Sequence, residues 1–147
     1  MTNSINSVTS SYSLINFAQM PAATTQIANW GTTDIAAITP ADLLSLKPAT
    51  ISSLTTAQVN ALSTAVFAAL SATQVQALTS TQVGSLSVAN VGALTSTQLN
   101  AFKSVQITSM SSTQVNAIST TALSSIKGSQ VALLSTQQVH DLSLIHI

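Results

Sequence analysis

From Ala22 to Asp141 the chain repeats an eight-residue unit without a gap or an insertion. Few local structures accommodate that period. Numbering each octad from Ala22, position one is apolar from Trp30 and Ile38 through Leu78 and Leu86 to Ile126 and Leu134. Position six is apolar from Ile27 to Val139, position eight is mostly Ala or Ser, and position two is mostly Ser or Thr. Gln dominates position five, and the consensus reads L-[ST]-x-x-Q-V-x-[AS]. A single continuous α-helix does not fit. Eight residues at 100° each overshoot two turns by about 80°, so the apolar stripe would wind around the rod. A strand does not fit either, because positions six and eight share one face while the next position one lies on the other.

Short helices do fit. Positions two and five have the spacing of a capping box, S/T-x-x-Q, as in Thr55–Gln58, Thr79–Gln82, Thr95–Gln98 and Ser135–Gln138. Pro40 and Pro48 fall at position three, the first helical residue, where proline is tolerated. Asp34 and Asp42 replace Gln at position five, in a first turn that favours an acid. Lys47, Lys103 and Lys127 all occupy position two, just beyond the preceding helix end. Each helix would hold about six residues, too few to be stable alone, so neighbours must stack. The expectation is an all-α solenoid of short capped helices, one per octad, each beginning near position three.

Positions one and six then form the core, with Leu62, Phe67, Leu70, Val75, Leu78, Val83, Leu86, Val91 and Leu94 buried. Small residues at position eight let adjacent turns approach. Position seven, including Asn60, Gln76 and Asn100, is expected to face solvent, with Gly84 and Gly92 outside the core and contributing no packing. The Gln column is expected to cap helices rather than to link one turn to the next.

Charge narrows the chemistry. Charged residues make up 4% of the chain and its net charge is zero, which leaves nothing to neutralise a row of phosphates and argues against nucleic acid. No apolar run approaches the ~20 residues of a membrane span; the longest is Ala65 to Leu70. There is no cysteine, hence no disulfide, thiolate nucleophile or thiolate metal site. Ser and Thr abound, but a nucleophile needs a base in reach, and the histidines are His140 and His146 alone. His140 and Asp141 together fall short of a metal ligand set. Trp30 occupies the core register, which points to packing. No catalytic, cofactor-binding or metal-binding residue is assigned, and the chain is not expected to be an enzyme.

The two ends depart from the octad. Residues 1–21 are a non-repeat segment rich in Ser, Asn and Thr, ending at Pro21, and read as a cap or tail. Residues 142–147, Leu142-Ser143-Leu144-Ile145-His146-Ile147, read like translated sequencing-adapter sequence. On that expectation the repeats would continue, Leu134 and Val139 would be partly exposed, and the array would associate end to end.

The octad from 22 to 141 resembles the L-[ST]-x-x-Q-[VIL]-x-[AS] arrays of long bacterial surface or secreted repeat proteins. That resemblance implies a spacer, stalk or adhesive segment outside the bacterial cell. Its partners would be neighbouring repeats of the same or a longer chain. An alternative is binding to ice or another ordered surface. It rests on the regularly spaced triplets Thr79-Ser80-Thr81, Thr95-Ser96-Thr97 and Ser111-Ser112-Thr113.

Overall fold

The computed structural model describes residues 30–146. The segment 1–21 and the first octad residues, 22–29, lie outside the described residues. Among those described, fourteen helices follow one another and no strand occurs. They are α1 Thr32–Ala36, α2 Pro40–Ser45, α3 Pro48–Ser53, α4 Thr56–Ala61, α5 Thr64–Ala68, α6 Ala72–Ala77 and α7 Ser80–Gly84. After them come α8 Val88–Gly92, α9 Ser96–Ala101, α10 Ser104–Thr108, α11 Ser112–Ala117, α12 Thr120–Ser124, α13 Gly128–Val131 and α14 Thr136–His146.

Each helix begins at position three, and where position two is Ser or Thr its hydroxyl caps the helix. The Thr79 hydroxyl accepts a hydrogen bond from the Gln82 amide at 3.1 Å, and the Gln82 side chain accepts one from the Thr79 amide at 2.7 Å. Thr95 and Gln98 repeat the exchange. Pro40 and Pro48 start α2 and α3 as expected. At Lys47, Lys103 and Lys127 the side chain offers no acceptor, and those three helices lack the hydroxyl bond.

The helices stop without any left-handed residue; no described residue has positive φ. Position eight is still helical, as at Ala69 (φ −85°, ψ −8°), and positions one and two are extended, as at Leu62 (φ −61°, ψ 133°) and Ser63 (φ −64°, ψ 155°). Six helical residues followed by two extended ones form the repeating backbone unit. This corner needs no glycine, which is why the octad carries none in its consensus.

The helices pack against those three octads away. The contacts α1–α4, α4–α7 and α7–α10 build one side, α2–α5, α5–α8, α8–α11 and α11–α14 a second, and α3–α6, α6–α9 and α9–α12 a third. Three octads, 24 residues, thus complete one turn of the solenoid. The core runs up the middle: position-one and position-six residues from Ile35 to Ile118 are at most 7% exposed, including all nine expected from the repeat. Trp30 packs against this column.

At the far end α14 departs from the repeat. The octad register calls for a corner at Leu142–Ser143, but the helix continues through both to His146.

Candidate functional site

The position-five side chains do more than cap. Gln58, Gln74, Gln82, Gln98, Gln106 and Gln114 are at most 4% exposed, as buried as the apolar core beside them. Gln106 illustrates the arrangement. Its Oε1 accepts from the Lys103 amide at 2.7 Å, while its Nε2 donates to the Val75 and Leu78 carbonyls at 2.9 and 2.7 Å. Those carbonyls lie 31 and 28 residues earlier, at the end of the helix below. Gln82 joins Ile51 and Leu54 in the same way, Gln98 joins Phe67 and Leu70, and Gln114 joins Val83 and Leu86. One amide therefore satisfies a helix N-terminus and a helix C-terminus, both of which leave backbone groups without intrahelical partners. The expectation that the column caps and does not link turns is half right. A Gln amide has both an acceptor and two donors, and the stacking geometry uses both ends.

Position seven also needs correction. Gln76 is exposed as expected, but Asn60 and Asn100 are half-buried and bridge turns. Asn60 Nδ2 donates to the Ser85 carbonyl at 2.6 Å and its Oδ1 accepts from the Ser87 amide at 2.8 Å. Asn100 holds the Ser125 carbonyl and the Lys127 amide in the same pattern. Position seven lies under the position-eight carbonyl of the next turn. That explains the glycines as well: a Cβ on Gly84 would stand 2.9 Å from the Ser109 carbonyl oxygen, and one on Gly92 would stand 3.3 Å from that of Ala117. These residues are outside the core, yet their lack of a side chain permits close approach of two turns.

Three buried side-chain atoms among the described residues have no partner: Asn90 Nδ2, Asn116 Oδ1 and Gln130 Oε1. Each has a geometric reason. Asn90 stands where Gln stands elsewhere and is one methylene shorter. Gln130 Oε1 would serve the Lys127 amide, which Asn100 already occupies. By the spacing seen at Asn60 and Asn100, Asn116 Oδ1 would serve the Ser143 amide, which lies inside α14.

The remaining predicted features are dispersed. The three Ser/Thr triplets recur every 16 residues, whereas a turn takes 24, so they fall at the starts of α7, α9 and α11, one on each side. The first residue of each is used as a helix cap. His140 is exposed, with its Nδ1 3.6 Å from Asp141 Oδ1. No group of three potential metal ligands occurs among the described residues, and no described helix is long and apolar enough to cross a membrane. Over α12–α14 an open groove of about 500 Å³ is lined by Leu123, Ile126, Val131, Leu134, Val139 and Leu142. Val131 and Val139 are 39% and 44% exposed there, unlike the buried position-six residues below them.

A repeat array of this kind is known from sequence. The ALTTAQ repeat family model matches residues 35–70 and 59–88. Within the matched stretch, Leu54-Thr55-Thr56-Ala57-Gln58 reads the last five letters of the ALTTAQ name, running from the buried position one to the bridging position five. The matches begin at Ile35 in α1 and end at Val88 in α8, and the same 24-residue stacking continues beyond them through α11 and α14. No curated protein and no solved structure matches the chain.

Proposed function

We propose that this chain is a structural repeat segment, a spacer, stalk or adhesive array of a larger bacterial extracellular protein, and that it performs no catalysis. The observation that carries this reading is the use made of the polar side chains. The buried Gln amides, the Asn bridges and the position-two hydroxyls are spent on joining one turn to the next or on ending a helix. Each turn is bonded to its neighbours and to nothing further along, which builds length. The placement outside the cell rests on the resemblance of the octad to surface and secreted arrays.

Small-angle X-ray scattering tests the spacer reading. Packed helices lie about 8–10 Å apart, so inserting five further turns of repeat should lengthen the particle by roughly 40–50 Å at constant cross-section. Growth in cross-section instead of length would count against it. Surface labelling of intact source cells tests the location; labelling only after lysis would remove it.

Binding of ice or another ordered surface is the second reading. It loses its support in the triplets, since these do not share a side. One row does share a side: Thr73, Thr97 and Thr121, all exposed at position four of α6, α9 and α12. Thermal hysteresis of the chain, absent in Thr97→Arg, would favour that reading over the spacer.

A further inference from the structure

The charges on this chain are few, and their placement is ordered by the 24-residue turn. Helices α3, α6, α9 and α12 of the third side carry no charged residue. Its outward side chains at position four are short: Ala49, Thr73, Thr97 and Thr121 are exposed there. Two edges bound it. Along the edge shared with the first side stand Gly31, Thr55, Thr79, Lys103 and Lys127, one per turn. Asp34 belongs to the same edge at its lower end, since its carboxylate accepts from the Gly31 amide at 3.0 Å. Along the edge shared with the second side stand Lys47, Ser71, Thr95 and Ser119, and Asp141 closes the second side's last octad at the upper end. One edge therefore runs from negative to positive, and the other from positive to negative. Five of the six charged residues frame this one neutral side. Among the described residues no lysine takes part in an ion pair; the single pair found is His140 with Asp141.

Such a frame is complementary to itself. We propose that the third side is a docking face for a second copy of this chain, packed face to face along the solenoid. A two-fold axis across the solenoid sets Asp34 against Lys127 and Lys47 against Asp141 of the other copy. An axis along the solenoid sets Asp34 against Lys47 and Lys127 against Asp141. Either orientation places opposite charges together and leaves the uncharged centre to close on itself. Exposed ion pairs each contribute little, so they select the face and the register, while contact of the short side chains supplies the area. Short Thr and Ala side chains lose little rotamer freedom on contact. A stable pair needs about 800 Å² from each copy, a tenth of the chain's 8024 Å² surface, which one of three sides can supply. This interface goes beyond the spacer reading. It would bundle stalks side by side, and its failure would leave the scattering test of the spacer untouched.

Sedimentation velocity on the full chain, over a concentration series at low salt and at about 0.5 M salt, is the test. The expected result is a dimer whose dissociation constant rises about tenfold at high salt, because exposed pairs are screened. Thr97→Arg, in the middle of the third side, should be monomeric at every concentration, while Ala89→Arg, at the matching position of the second side, should dimerise like the parent. Far-ultraviolet circular dichroism of both variants checks that each is folded. The chain has no cysteine, so Thr97→Cys should form an intermolecular disulfide under mild oxidation and Ala89→Cys should not. A monomer under all conditions would overturn the proposal. So would a Thr97→Arg variant that dimerises as well as Ala89→Arg, or a monomer whose Thr97-dependent activity is binding to ice.

Discussion

Replacing Gln106 with Leu isolates the stitch between two turns. The two side chains are close in size, so the cavity contribution is small and the effect falls on hydrogen bonding. Three bonds disappear: Lys103 N–H to Oε1, and Nε2 to the Val75 and Leu78 carbonyls. At a net ~1 kcal/mol each, they account for about 3 kcal/mol. The groups left behind matter more than the bonds. The Val75 carbonyl retains a bond from the Leu78 amide, but the Lys103 amide and the Leu78 carbonyl each lose the side-chain partner the structure gives them. An abandoned buried group costs roughly 1–3 kcal/mol, and new apolar burial by Leu returns ~1 kcal/mol. Two such groups less that return give an expected loss of about 1–5 kcal/mol. Lys103 offers no hydroxyl to hold the start of α10 in compensation. Urea unfolding followed by circular dichroism at 222 nm measures the change, with hydrogen exchange locating it at the α7–α10 contact. A loss below about 1 kcal/mol, the scale of a surface substitution, would refute the claim that this amide bonds both turns.

Gln106→Glu retains the acceptor for the Lys103 amide but turns a charge on two carbonyl oxygens. Those acceptors raise the introduced carboxyl's pKa in the folded state, so the folded chain binds more protons than the unfolded one. Stability should be greatest below the unfolded value of about 4.3 and should fall as pH rises through the folded one; urea midpoints independent of pH between 3 and 8 would contradict this, the range being about that over which a buried carboxyl titrates. Gly84→Ala should destabilise by about 1–3 kcal/mol, the cost of overpacking, because its Cβ meets backbone 2.9 Å away. Gly128, where an added Cβ meets nothing within 4 Å, should tolerate Ala with a gain of about 0.5 kcal/mol, and thermal melts of the pair should therefore shift in opposite directions. Asn90→Gln should stabilise by about 1 kcal/mol, since the longer side chain brings the unpartnered amide toward the Val59 and Leu62 carbonyls, 31 and 28 residues earlier. Gln130, which reaches Leu99 and Phe102 by those same intervals despite its own idle Oε1, is the precedent, and an unchanged urea midpoint would show that the gap at Asn90 is already filled by water.

Whatever depends on a single octad was legible in the sequence. The period places apolar residues three apart at positions six and one, proline and hydroxyl residues mark where a helix can start, and the burial of Leu62, Phe67, Leu70 and Val75 follows. Capping is local as well, since Thr79 and Gln82 are three residues apart. What depends on the number of octads per turn was not legible. That number is fixed by the backbone angles of eight residues repeated identically, chiefly the ψ values near 135° and 160° at positions one and two. A small change at each corner accumulates over the repeat and gives a different solenoid from the same apolar pattern. Every misreading traces to this one quantity. The second half of the Gln amide, the Asn60 and Asn100 bridges and the close approach at Gly84 all involve residues 25 to 31 apart. The triplets looked like a row only while the turn length was unknown.

The turn length also decides where the solenoid is weakest. Position five passes from one edge to the next with each octad, so each edge has its own series. At the edge that Gln58, Gln82, Gln106 and Gln130 share, every turn above the first is joined to the one below. At the next edge the series reads Asp42, Val66 and Asn90 before Gln114 and Gln138. Asp42 and Val66 have no amide to donate, and the Asn90 amide has no partner. The third edge has Thr50, then Gln74 and Gln98, then Ala122. Apolar burial is nearly uniform from Ile35 to Ile118, so over those turns the difference between edges is a difference in bonds across turns. Local opening follows the places with fewest such bonds. At Asn90 the Asn60 bridge to the Ser85 carbonyl and the Ser87 amide stands in for the missing bonds, which leaves the start of α5, at Val66, as the place without one. The turns built from α2 and α5 therefore separate first at the edge marked by Val66, and the continuous Gln edge acts as the hinge about which they part. Amide exchange should then be faster at the start of α5 than at the starts of α4 and α7, although all three helices pack against the same core. Equal protection of the three would mean that core packing, and not the glutamine column, holds the turns together.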